Sequence, residues 1–115
     1  METSARLLRV YLSNTDKVDH TPLYEAIVYL AKQRNIKGAT VLKGIMGFGG
    51  STAILSASMW EITDKLPVVV ELIDEATKIS EFQMELKQLL GRSNKGTLVT
   101  VQDVDVIFST IGKSH

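Results

Sequence analysis

The chain has 115 residues, the length of one ordinary domain, and we expect residues 1–115 to form a single domain. It contains no cysteine, which excludes disulfides and thiolate metal sites and suits a reducing cytoplasm. Its 13 basic and 13 acidic residues cancel, so charge gives no reason to expect nucleic acid or an anionic membrane as a partner. No apolar run approaches the roughly 18 residues of a membrane span, so we predict a soluble, cytoplasmic protein without membrane insertion.

The first part of the chain predicts a strand, a helix and a second strand. Apolar and polar side chains alternate over residues 6–12, as in a half-buried strand. Thr21 as N-cap and Pro22 at the first helical position predict the start of a helix, whose apolar residues recur on one face. Gly38 closes this unit, and residues 39–46 form the predicted second strand.

A similar order of elements follows in the second part. The apolar run of residues 66–73 predicts a central strand of the sheet. Either Asp74 or Thr77 can cap a second helix, which we expect Gly91 to end. Residues 97–101 and 104–108 then predict two short strands, or one strand with a bend at Gln102 and Asp103.

This order, β-α-β followed by a long connection and β-α-β, decides the fold class. Two right-handed crossovers of this kind predict an α+β, ferredoxin-like split βαβ sandwich. We expect one four-stranded antiparallel sheet with two helices on one face and an extra short C-terminal strand.

The long connection, residues 47–65, is unusual because it is apolar. Loops longer than about 12 residues are usually functional or disordered. Alternating residues from Ile54 to Ile62, with Trp60 among them, indicate an arm that extends the third strand backwards and finds a partner. The alternative is that this segment folds back onto the core of its own domain.

Four of the eight glycines fall in residues 44–50, GIMGFGG, at the end of the second predicted strand. One interpretation is a strand exit with positive φ angles; the other is a backbone that approaches a ligand closely, with its N–H groups directed at an anion. The segment is not a Walker A loop, because no Gly-Lys-Ser/Thr follows, and no helix follows as a dinucleotide fingerprint requires.

No metal or catalytic site can be assembled from the sequence. His20 and His115 are the two histidines, and no metal-ligand spacing surrounds them. Asp103 and Asp105 share a strand face and could form an acid pair, although such residues more often form the solvated face of an edge strand. No nucleophile has an adjacent base, so we predict that the protein is not an enzyme.

Several segments together resemble the P-II-like signal-transduction superfamily, in particular its small uncharacterised family, a domain of unknown function. The similar segments are DK at 16–17, PLYEAIV at 22–28, TVLKGIMGFG at 40–49, LPVVVE at 66–71 and GTLVTVQDV at 96–104. The resemblance covers roughly residues 6–108. It implies a homotrimer of ferredoxin-like subunits with small-molecule sites in the clefts between neighbours.

The resemblance also implies which residues bind the ligand. P-II proteins hold ATP or ADP between a glycine-rich loop base and a second loop before the last strand. The matching residues here are Gly47, Phe48, Gly49, Gly50 and Ser51 in the first loop, and Arg92, Lys95, Gly96 and Thr97 in the second. No covalent cofactor is implied, and the effector would be an adenine nucleotide or a related anion. The loop of residues 50–65 would contact a partner protein such as a membrane transporter or an enzyme.

Two departures from the P-II pattern bear on the ligand and a third on regulation. Thr97 replaces the lysine that follows the glycine of the second loop, and residues 106–111 contain no cation where P-II proteins have two arginines. No tyrosine occurs in residues 51–65, so the uridylylation switch of some P-II proteins is absent. Each missing charge-assisted hydrogen bond removes about 1.5–3 kcal/mol of affinity. A monophosphate or a less charged ligand is therefore easier to hold than a triphosphate.

Three functions remain open at this point. The favoured one is a non-enzymatic P-II-like sensor that binds a nucleotide-like effector and signals through the 50–65 loop. The second is an interaction-only or structural trimer, resembling the CutA proteins, with no nucleotide site. The third is an unrecognised enzyme.

Overall fold

The computed structural model describes residues 4–50, 54–56 and 65–112, so Ser51, Trp60 and His115 lie outside the described residues. Within those ranges the strands and helices follow one another in the order β1 (Ser4–Ser13), β2 (Lys17–Val18), β3 (Thr21–Pro22), α1 (Leu23–Gln33), β4 (Gly38–Lys43), β5 (Met46–Gly47), β6 (Leu55–Ser56), β7 (Pro67–Glu75), α2 (Ala76–Ser93) and β8 (Leu98–Asp105). No helix of the described ranges is long and apolar enough to cross a membrane.

The four long strands form one antiparallel sheet in the order β4-β7-β1-β8. Strand β1 is central and pairs with β7 from Ala5↔Glu75 to Ser13↔Pro67. On its other side β1 pairs with β8, from Ser4 to Tyr11. This is the strand order of a split βαβ sandwich, and the predicted α+β, ferredoxin-like class is confirmed.

The core lies between the two helices and one face of the sheet. Alternate residues of β1 and β7 point to the helices, and Leu8, Val10, Val70 and Leu72 have no solvent exposure. Helices α1 and α2 cover this face with a stripe of apolar side chains, each spaced by three or four residues: Leu23, Ile27, Ala31, Ile79, Phe82, Leu86 and Leu89. The expected two helices on one face of the sheet are therefore observed.

The opposite face of the sheet carries no helix, and we call it the helix-free face. Strand pairing aligns apolar side chains in rows, Leu7 with Ile73, Tyr11 with Val69 and Leu98, and Leu42 with Val69. The row between them is polar and consists of Thr40, Glu71, Arg9 and Thr100. An ion pair stands among them, with Arg9 Nε 3.0 Å from Glu71 Oε2, and Arg9 Nη1 donates to Gln102 Oε1 over 2.9 Å. An antiparallel sheet with one solvated face normally alternates apolar with polar residues, so the apolar rows on this face are unusual.

Both helices begin differently from the prediction. Pro22 itself occupies the N-cap position of α1 and makes no side-chain cap hydrogen bond, so Thr21 is not the cap. The N-cap position of α2 is Glu75, again without a side-chain cap bond, and neither Asp74 nor Thr77 fills that role. The Asp74 carboxylate instead binds backbone N–H groups outside the helix.

Helix α2 also ends later than predicted. It continues through Gly91 to Ser93, and Asn94 at φ 55° is its C-cap. A side chain at Gly91 would have no atom within 4 Å, so the glycine faces solvent and costs the helix only the usual entropy. Asparagine adopts the left-handed conformation more readily than most residues, which explains why the helix stops at Asn94.

Near both glycine-rich segments the observed strands have different bounds from the predicted strands. The second strand ends at Lys43, and Met46–Gly47 is a separate short strand. Strand β8 is continuous from Leu98 to Asp105, because both residues at the predicted bend pair with β1. Residues 106–112 form no strand, so the prediction of an extra C-terminal strand is wrong.

The buried Asp74 joins the start of β4 to the end of β7. Its Oδ2 accepts a hydrogen bond from Lys37 N over 2.9 Å, and its Oδ1 accepts one from Glu75 N over 2.6 Å. Asp74→Asn replaces one acceptor with a donor, so one backbone N–H loses its partner at a site with 7% exposure. We expect the free energy of unfolding to fall by about 1.5–3 kcal/mol, measured by urea denaturation at one fixed protein concentration.

The matched control is Asp103→Asn. Asp103 is paired with Arg6 at 3.2 Å, but its side chain is 82% exposed. Exposed ion pairs contribute about 0–1 kcal/mol, so this variant should unfold close to the wild-type midpoint. Equal urea midpoints for the two variants would contradict the role assigned to Asp74.

Candidate functional site

A cavity of about 530 Å³ lies at one end of the sheet. Strands β1 and β4 end there, whereas β7 and β8 begin there, because β1 is antiparallel to both of its neighbours. Four chain segments therefore meet at this edge. The volume lies in the range of about 300–1,000 Å³ that is typical of small-molecule sites.

The first glycine-rich loop forms one wall of the cavity. Two short strands make a ladder at its base, in which Met46 pairs with Ser56 and Gly47 pairs with Leu55. Gly47, Phe48, Gly49 and Gly50 all line the cavity. The predicted first-loop residues that fall within the described ranges are thus together, and the ladder fixes the direction in which the chain leaves the sheet.

Gly50 brings the two predicted loops into contact. A Cβ atom built on Gly50 would collide with the backbone nitrogen of Thr97 and with the carbonyl carbon of Gly96. No side chain can occupy that space, since both neighbours are backbone atoms. Close approach of two backbones therefore explains the glycine at position 50.

The other interpretation of the glycines, positive φ angles at a strand exit, is wrong. No glycine of the described ranges has a positive φ. At Gly49 an added Cβ would lie 3.7 Å from Tyr11 Cβ, which is an ordinary van der Waals contact. Gly49 can therefore accept a small side chain, whereas Gly50 cannot.

The second predicted loop divides between two places. Lys95 and Gly96 line the cavity, and Thr97 lies against Gly50. Arg92 lines a separate groove between α1 and α2, where its Nη2 is 3.7 Å from Asp19 Oδ2. The structure thus separates Arg92 from the other second-loop residues.

Several residues of the cavity were missed by sequence reasoning. Tyr11, Ser13, Asp16, Ile54 and Lys65 also line it. Strand pairing brings most of them there from distant parts of the chain, which no local motif reveals. Lys65 did carry a signal, since a cation directly before a central strand must lie at the edge of the sheet where that strand begins.

The charged side chains in the described lining are Asp16, Lys65 and Lys95. Asp16 Oδ2 accepts a hydrogen bond from Ser13 N over 3.0 Å, so this carboxylate also holds the turn that follows β1. The cavity therefore carries a formal charge of +1 on its described lining, beside apolar surface from Tyr11 and Phe48. Such a combination suits a flat organic ligand that bears an anionic group.

Other charged groups lie away from the cavity. On the helix layer, Arg34 makes two hydrogen bonds of 2.6 Å to Glu85, and this contact lowers the pKa of the Glu85 carboxyl. Asp103 pairs with Arg6, and Asp105 lies at the opposite end of β8 from the cavity. In the described ranges no group of three or more metal-ligating side chains occurs.

Comparison with known proteins identifies the family. A family model described as "Uncharacterized ACR, COG1993", the domain of unknown function DUF190, matches residues 5–106. A UPF0166 protein of Aquifex aeolicus (strain VF5) is 38% identical over 103 residues, covering 90% of this chain and 93% of the relative. A UPF0166 protein of Methanocaldococcus jannaschii is 30% identical over 95 residues, covering 83% and 85%.

Solved structures with the same fold have been described as PII-like. CPII, a nitrogen regulatory PII-like protein from Thiomonas intermedia K12 bound to ADP, AMP and bicarbonate, has a TM-score of 0.66 at 17% identity, with 92% of this chain and 91% of that chain covered. A PII-like signaling protein from Thermus thermophilus has a TM-score of 0.59 at 14% identity, covering 92% of both chains. These likenesses show that the chain shares its fold with PII-like proteins, and the family match and the two relatives show that it belongs to DUF190.

Proposed function

We propose that this protein is a non-enzymatic, cytoplasmic P-II-like regulator. It binds a small, nucleotide-like anionic effector in the cavity at the end of the sheet and forms a homotrimer. The loop of residues 50–65 carries the signal to a partner protein, such as a membrane transporter or an enzyme.

The contact between Gly50 and the Gly96–Thr97 peptide carries this proposal. Two loops that are about 45 residues apart in sequence touch through backbone atoms beside a cavity of ligand size. A ligand in that cavity can contact both loops at once and so alter the course of the chain after Gly50. A sensor needs such a coupling between its ligand site and the segment that meets the partner.

The class of effector is suggested by the cavity's charge and by structural neighbours. CPII is bound to ADP, AMP and bicarbonate in one structure and to ADP and bicarbonate in another. In this chain two lysines and a partly apolar wall offer the same general chemistry, an anionic group attached to a flat ring system.

The helix-free face supports the trimer. Leu42, next to Val69 on that face, remains 48% exposed, and Leu98 remains 49% exposed. Near the cavity Ile45 and Met46 are 83% and 64% exposed. Contiguous apolar surface of this kind marks an interaction site, and neighbouring subunits that cover it would also border the cavity.

Exposed apolar residues in and directly before the 50–65 loop support its role as the signalling element. Phe48 follows β5 and is 70% exposed, and Ile54 precedes β6 and is 62% exposed. Both also line the cavity, so a bound effector would contact the same segment that presents these side chains. A partner protein would then meet a surface whose shape depends on the effector.

Gly50→Ala tests the effector site. The new Cβ would collide with the Gly96–Thr97 backbone, so the loops must separate and the affinity should fall at least about ten-fold. A thermal-shift titration with AMP, ADP and ATP measures this, because a ligand at 100 times its Kd stabilises the native state by about 2.7 kcal/mol.

Gly91→Ala is the control, since its Cβ meets no atom within 4 Å and Gly91 lies in α2, outside the residues that line the cavity. It should keep the wild-type response. Equal responses of the two variants would contradict the assigned role of Gly50. A wild-type protein that responds to none of the three nucleotides would favour an interaction-only trimer instead.

The proposed trimer can be tested by the mass of the wild type and of two variants in solution. Light scattering should give three times the 12.7 kDa chain mass for the wild type. Leu42→Glu places a charge on the exposed helix-free face, so it should dissociate the trimer without unfolding the subunit. Met84→Glu changes a residue that is 70% exposed on α2 and should leave the trimer intact. A wild-type monomer at micromolar concentration would refute the assembly.

A further inference from the structure

The cations of the cavity limit how much negative charge it can hold. Lys65 precedes β7 and Lys95 precedes β8, and both line the cavity together with the carboxylate of Asp16. Arg92, a cation of the same loop as Lys95, lies in the other groove beside Asp19. The described lining thus offers two cations to an anion and opposes them with one fixed acid.

The two lysines approach from opposite sides of β1. Strand β1 separates β7 from β8, so their starting points are two strand spacings apart, roughly 10 Å. Tyr11, near the end of β1, lies in the interval between them. Flexible four-carbon side chains on each side can converge on one anionic group above the end of β1.

Backbone donors lie at the same point. The Gly96–Thr97 peptide precedes Leu98, the first residue of β8 that pairs with β1, so its N–H lies outside the ladder of the sheet. Gly50 belongs to no strand and packs against that peptide. A backbone N–H group outside a ladder is a donor that can bind a small anion.

We propose that the cavity selects a nucleoside monophosphate over the corresponding triphosphate. The single phosphate lies between Lys65, Lys95 and the Gly50/Gly96–Thr97 junction, and the ring system lies against the apolar wall that includes Tyr11 and Phe48. This inference rests on the proposed effector-binding function and specifies its ligand.

The charge balance explains the selectivity. A phosphate monoester carries about −1.5 to −2 at pH 7, which two lysines can neutralise. A triphosphate adds further negative charge, for which the described lining has no third cation, and Asp16 repels it. Phosphates beyond the first therefore gain no charge-assisted hydrogen bond to a described lining side chain of the same subunit.

Isothermal titration with adenosine, AMP and ATP, with and without Mg²⁺, tests the inference on the full-length protein. AMP should bind about 100-fold more tightly than adenosine, because two charge-assisted contacts each contribute about ten-fold. ATP should bind no more tightly than AMP. Lys95→Ala should weaken the binding of AMP about ten-fold and leave the affinity for adenosine unchanged.

Lys37→Ala is the control, since Lys37 adjoins the opposite end of β4 from the cavity and should leave all three affinities unchanged. ATP binding ten-fold or more tightly than AMP would overturn the selectivity while leaving the effector site standing. An equal loss of affinity for adenosine and for AMP in Lys95→Ala would overturn the proposed position of the phosphate. Binding of none of the three compounds would overturn the proposed function itself.

Discussion

The antiparallel pairing of β1 with both β7 and β8 is the constraint on which the rest of the structure depends. It forces the end of β1 and the beginnings of its two neighbours to the same edge of the sheet. Lys65 and Lys95, 30 positions apart in the sequence, therefore lie beside one cavity. The position of the candidate site is thus a consequence of topology. Gly50 then allows the backbones of the two loops to touch, because it has no side chain between them.

Both helices pack on one face of the sheet, and the apolar rows of the other face are covered by no helix that the structure describes. The face toward the helices is packed, with Leu8, Val10 and Leu72 completely buried. On the helix-free face the Arg9–Glu71 pair has 28% and 27% side-chain exposure, so it already lies partly sheltered among apolar neighbours. If subunits cover that face, the pair becomes buried, and its bond to Gln102 would help to satisfy it there. The same assembly would border the cavity, which connects oligomerisation to effector binding in the proposed regulator.

The sequence predicted the fold well because periodicity and order of elements reflect burial, which is a local signal. The sequence-based prediction failed where more than one residue could end or cap a helix. Gly91 looked like a helix end, but it faces open solvent and the left-handed Asn94 ends α2. For the site, the structure brings residues of both glycine segments to one cavity, whereas the positive φ angles of one interpretation are absent from the described glycines. Tyr11 and Lys65 were missed because strand register, which single-sequence patterns leave open, brings them to the cavity.

Backbone amide chemical shifts test most directly whether an anionic effector binds where the two loops touch. The experiment is a titration of the ¹⁵N-labelled protein with AMP, followed by assigned amide resonances. We expect saturable shifts at Gly50, Gly96 and Thr97, with the amides at the start of α2, which follows the end of β7 opposite the cavity, unchanged. Saturable shifts confined to the groove between α1 and α2, around Arg92, would contradict it.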